Sequence, residues 1–168
     1  MYPEELIASM EHELTTAGFV PLKTAAAVSD HMSHQQGTTL LFVNSMCGCA
    51  GTGARLGMKI ALEASNHQPN HVVTVFAEVD DEATKQVFEY TKPYPPSSPA
   101  IALFKDGALV HFMERHQIKG TPPEILAAEL QSALEAHCQL NSDTGLNCNF
   151  SGSPTRSSQV QSLPSWAS

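Results

Sequence analysis

Cys47 and Cys49 stand one residue apart, with Gly48 between them, directly after the run Leu40-Leu41-Phe42-Val43-Asn44-Ser45-Met46. Two thiols so placed can exchange disulfides or hold a soft metal, and both uses depend on the thiolate. A disulfide closed across a single residue is tight and therefore easily reduced, which suits turnover better than stapling a fold. Gly48 lets the backbone turn sharply between the sulfurs. Cys47 comes first in the loop and is expected to present the more exposed sulfur, so it is assigned as nucleophile and Cys49 as the resolving thiol. No metal is expected, because the motif lacks a second cysteine pair at ligand spacing. The competing reading is a binding module that uses the dithiol to hold a metal or a client protein without turnover.

A strand-to-helix junction must position these thiols. Thr38 to Val43 follows Gly37, is dense in β-branched and large apolar residues, and reads as a fully buried strand of a parallel sheet. After Cys49, Ala50, Ala54, Met58, Ala61 and Leu62 recur at helical spacing with Arg55, Lys59 and Glu63 between them, giving a helix with one apolar face. Open α/β sheets place their ligands at the carboxyl ends of strands, and the first turn of a helix offers free N–H groups and a positive dipole end to a thiolate.

Other elements can be read around this junction. Pro3 to Ala17 patterns as a helix with Leu6, Ile7, Met10 and Leu14 on one face, and Phe19 to Leu22 as an edge strand, since Pro21 cannot donate to a ladder. A helix is expected from Thr24 to Gln35, a strand from Val72 to Ala77 and a helix from Asp81 to Tyr90. The Pro-rich stretch 92–99 precedes a strand at Ala100 to Phe104, a tight turn at Lys105-Asp106-Gly107 and a returning strand at Ala108 to Met113. Thr121 is expected to cap a last helix in a capping box with Glu124, burying Ile125, Leu126, Leu130 and Leu134.

The sequence holds 168 residues, four cysteines and a formal net charge of −8. That charge argues against a general nucleic-acid or anionic-membrane binder. The cysteine pattern is not a secreted disulfide framework, the N-terminus carries acid where a signal peptide carries base, and no apolar run approaches the ~20 residues of a spanning helix. A reducing, cytoplasmic setting is expected. From Gln139 to Ser168 the composition turns to Ser, Gly, Asn and Pro without periodicity, so residues 1–138 are expected to form the domain and 139–168 a disordered tail holding Cys148.

The order of elements, with a dithiol after a buried strand, a Ser98-Pro99 step before the fourth strand and a Phe104-Lys105-Asp106-Gly107 hairpin, resembles the thioredoxin superfamily: an α/β fold with a central mixed sheet flanked by helices. More specifically, Met1-Tyr2-Pro3-Glu4-Glu5-Leu6, Val43-Asn44-Ser45, Cys47-Gly48-Cys49-Ala50, Tyr94-Pro95-Pro96-Ser97-Ser98-Pro99 and the Arg115-His116…Gly120 segment resemble the bacilliredoxin family. Leu56 departs from the pattern, where Pro is expected in many relatives. The resemblance implies a bacterial thiol-disulfide oxidoreductase that removes bacillithiol from mixed disulfides on client proteins. Bacillithiol is then a co-substrate rather than a bound cofactor, and a cellular reductant reopens the dithiol. Pro99 is expected to be cis and to lie against the dithiol, and Gly48 and Pro99 are expected among the substrate-binding residues. Arg55, Arg115, His116 and Lys119 are expected to form a basic rim for the carboxylates of the small thiol.

Overall fold

The computed structural model of the chain describes residues 2–48 and 50–140. In chain order these form α1 (Glu4–Thr16), β1 (Val20–Pro21), α2 (Ala25–Ser33), β2 (Thr38–Asn44) and a π-helical turn (Ala50–Arg55) that runs into α3 (Leu56–Ala64). Then follow β3 (His67–Gln68), β4 (His71–Phe76), α4 (Asp81–Tyr90), β5 (Ala100–Lys105), β6 (Ala108–Met113), α5 (Arg115–Ile118), α6 (Pro123–His137) and β7 (Gln139–Leu140). Five strands make one sheet in the order β1-β4-β2-β5-β6. Parallel to β4 and antiparallel to β5, β2 lies at the centre, which is why all seven of its residues are buried.

Alternation along the strands divides the apolar residues into two cores. Leu40, Phe42, Ile101 and Leu103 point to the face covered by the end of α1, the π turn, α3 and α6. Leu41, Val43, Val73, Val75, Ala102 and Phe104 point to the face covered by α2 and α4. The edge position of β1 suits Pro21, which has no N–H to give. Thr24 starts α2 by accepting a 3.0 Å hydrogen bond from the Ala27 amide. The β5–β6 turn runs through Asp106 (φ 49°) and Gly107 (φ 85°), the left-handed pair that a two-residue hairpin requires.

Several expectations need correction. Thr121 does not cap α6: Pro122 occupies that position, and the Thr121 hydroxyl donates instead to the Gln117 carbonyl at 2.8 Å. Ile125 is 56% exposed. The helix is turned so that Leu126 meets α3 at Gly57, where an added Cβ would lie 3.0 Å from Leu126 Cβ and 3.1 Å from the Pro123 carbonyl. Leu6 is exposed because α1 buries only Leu14, near its last turn. Two short strands escaped the pattern altogether: β3 and β7 pair with each other as a second sheet. The tail expected from residue 139 lies outside the described residues apart from this Gln139–Leu140 pairing. Among the described residues no helix is long and apolar enough to cross a membrane.

Candidate active site

β2 and β4 are parallel, so the segments that leave their carboxyl ends emerge side by side. Glu78 follows β4 and takes hold of the segment that follows β2. Its carboxylate accepts from the Ser45 hydroxyl at 2.7 Å and from the Met46 amide at 3.2 Å, while Ser45 Oγ in turn accepts from the Cys47 amide at 3.2 Å. Two consecutive backbone amides are thereby fixed just ahead of the sulfur. Cys47 is half-buried and disulfide-bonded, and its carbonyl accepts from the Ala50 amide at 2.9 Å. Gly48 is exposed. Cys49, expected as the resolving thiol, lies outside the described residues.

The opposite wall comes from the hairpin. Val43 pairs with Ala100, so Ser97, Ser98 and Pro99 arrive level with the end of β2; Ile101 pairs with Met113, so the chain leaving β6 arrives there too. Pro99 is buried, and the Ser98–Pro99 and Lys92–Pro93 peptide bonds are cis. Glu114 and Gln117 close a reciprocal capping box that starts α5, with the Glu114 amide donating to Gln117 Oε1 at 2.8 Å. Arg115, the first residue of that helix, donates its amide to Ser97 Oγ at 2.7 Å. Its guanidinium spans the cleft between the walls: Nη1 lies 3.4 Å from the Ser98 carbonyl and Nη2 3.7 Å from Cys47 Sγ.

The expected basic rim is therefore present only in part. Arg115 is at the sulfur. His116 is 73% exposed on the same turn, its ring 3.7 Å from the Glu114 carboxylate, and Lys119 is also exposed. Arg55 is absent from the rim: its side chain is 6% exposed and inward-facing, with Nε on Glu13 Oε2 at 3.1 Å and Nη1 on Asn44 Oδ1 at 3.0 Å. The cause is the π turn over Ala50–Arg55, whose wider winding breaks the 3.6-residue count that put Arg55 on the solvent face.

Sequence reasoning gave no individual role to Ser45, Glu78, Ser97, Glu114 or Gln117, although Ser45 and Ser97 stand in stretches that carry the family resemblance. The Glu114–Gln117 spacing is itself a capping signal, whereas nothing local marks Glu78, which strand pairing alone brings to Ser45. Beyond the site, burial lifts the Asp80 carboxyl above its ordinary range. Burial also lowers His31 and His111, the latter despite Glu129 at 3.9 Å, and raises the free thiol of Cys138. Among the described residues no group of three or more His, Cys, Asp or Glu converges to hold a metal.

Comparison with known proteins gives the family of the chain. Residues 2–138 match a family model described as disulphide isomerase. A bacilliredoxin of Cytophaga hutchinsonii is 53% identical over 131 residues, covering 78% of this chain and 96% of the relative. A bacilliredoxin of Shouchella clausii is 45% identical over 138 residues, covering 82% and 94%. A solved structure with a thioredoxin fold superposes with a TM-score of 0.51 at 12% identity, covering 69% of this chain and 92% of the other, a likeness of fold alone. With its mixed sheet flanked by helices, the chain has the thioredoxin-like fold and belongs to the bacilliredoxin family.

Proposed function

We propose that the protein is a thiol-disulfide oxidoreductase that removes bacillithiol, or a similar small thiol, from mixed disulfides on client proteins. The observation that carries the reading is the Cys47 sulfur, partly open at the carboxyl end of the central strand, with a guanidinium 3.7 Å away. An accessible sulfur beside a fixed positive charge is the arrangement thiolate chemistry needs. The Cys47 thiolate attacks the small-thiol sulfur of the mixed disulfide. The client–small thiol S–S bond breaks, its electron pair leaves on the client sulfur, and that sulfur takes a proton from water.

Cys47 then carries the small thiol as a mixed disulfide. Either the Cys49 thiolate attacks Cys47 and expels the small thiol, leaving a dithiol disulfide that needs two electrons from a cellular reductant, or a second small thiol removes the first. In this reading Arg115 and His116, both exposed, take the carboxylates of bacillithiol, while the exposed Gly48 and the stretch that enters β5 at Pro99 meet the client. Arg55, tied to Glu13 and Asn44, has no part in this. A reducing cytoplasm is the setting in which such mixed disulfides are transient damage.

Replacing Cys49 by Ser tests the scheme. One round of removal is expected to proceed and to leave the small thiol trapped on Cys47, visible as a mass increase on the intact protein. Absence of any adduct, with the client still modified, overturns the reading.

A further inference from the structure

We propose that Arg115 is the counter-charge that holds Cys47 as a thiolate, a role separate from gripping the carboxylates of a substrate. It rests on the reading of Cys47 as the nucleophile. Three observations carry it. The guanidinium Nη2 is 3.7 Å from Cys47 Sγ, within reach of an N–H···S contact. The guanidinium is also mounted rather than loose: the Arg115 amide is fixed on Ser97 Oγ, Nη1 on the Ser98 carbonyl, and the helix that starts at Arg115 is closed by the Glu114–Gln117 box. Finally, the surrounding charge opposes a thiolate. The Glu78 carboxylate grips the two residues before Cys47, Glu114 adjoins Arg115, and the chain as a whole carries −8. A sulfur in that field needs a compensating cation to ionise near neutral pH.

The contact exists while Cys47 is disulfide-bonded, and this is informative. When an incoming thiolate attacks the other sulfur of that disulfide, a new S–S bond forms and the electron pair of the broken bond leaves on Cys47. The negative charge then appears where a cation already stands, so no reorganisation is required at that moment. The same cation favours the thiolate that attacks in the forward step and the thiolate expelled when Cys47 is the leaving group. Ser97, Glu114 and Gln117 act through Arg115 and are positioning residues.

The test is the pH dependence of Cys47 alkylation by iodoacetamide. It is measured on reduced Cys49→Ser protein by peptide mass across about pH 5 to pH 10, around the ordinary thiol value of about 8.5. Arg115→Gln is expected to move the midpoint upward, leaving roughly tenfold less thiolate at any pH below it. Arg115→Lys should recover part of the shift, since it keeps the charge without the fork, and Ser97→Ala should give a smaller upward shift by loosening the mount. In the Arg115-containing protein the midpoint should rise with added salt, because the pair is partly exposed and screened. A midpoint unchanged by Arg115→Gln overturns the assignment. Should that variant fail to fold, a midpoint insensitive to salt overturns it instead. None of these readouts uses a small-thiol substrate, so a protein with the expected shifts that never freed a client of its small thiol would sink the proposed function and leave this assignment standing.

Discussion

Two arginines flank the segment that carries Cys47, and the regions around them have opposite characters. Around Arg55, the π turn, the end of β2 and α1 bury a guanidinium against a carboxylate and an amide oxygen, so the charge is consumed inside the protein. Around Arg115, the β6–α5 corner holds a guanidinium at the surface by its own backbone and by a carbonyl, and leaves one edge of the fork facing a sulfur. The residue type is the same in both regions. What differs is whether the neighbours bury the guanidinium against a carboxylate or only hold it steady at the surface, and the second arrangement leaves charge available for chemistry.

The largest expected effect lies in the Arg115 region. Cys47→Ser should abolish small-thiol removal from a client, measured by client mass; activity retained with the adduct on Cys49 would reverse the assignment of the two sulfurs. Next comes Arg55→Ala, which strands the Asn44 oxygen and releases Glu13. A loss of about 2–4 kcal/mol is expected by urea denaturation, with the alkylation midpoint of Cys47 unmoved. If Arg55→Ala instead left stability intact and slowed Cys47, the contrast between the two regions would collapse. A smaller effect is expected from Gln117→Ala, which opens the capping box at a cost of about 1 kcal/mol and should shift the Cys47 midpoint part of the way that Arg115→Gln does.

The weakest effect concerns neither arginine. Burial holds the folded-state pKa of His31 and His111 below 6.5, so the unfolded chain binds more protons below that value. Their contribution is complete above pH 6.5 and is lost as pH falls from there toward the folded-state values, so stability should decline over that window. His111→Gln should flatten the decline, as read from denaturation midpoints at several pH values. An unaltered slope would place the acid sensitivity elsewhere, with the carboxylates around the two arginines the next to examine.

Elements with strong local signals were legible in the sequence: β2 from its unbroken apolar run, α4 from its acidic start, and the β5–β6 hairpin from Asp106-Gly107. Arg115 was legible too, because strand direction alone returns β6 to the dithiol end. Arg55 was not, since a π turn changes which residues share a face without leaving a mark in composition. Nor was Glu78, whose bonds to Ser45 and Met46 exist only once β2 and β4 are paired. Two-residue strands such as β3 and β7 are too short to show any period.

The division of the sheet into two faces also determines how substitutions combine. Leu40 and Leu41 are neighbours in the chain yet belong to different cores, whereas Leu40 and Leu103, far apart in sequence, sit opposite each other across β2 and β5 in the same core. Energetic coupling follows shared packing rather than chain adjacency. Truncating Leu40 and Leu41 together should therefore cost close to the sum of the two single changes, while truncating Leu40 and Leu103 together should depart from that sum, so each face of the sheet can accumulate changes almost independently of the other.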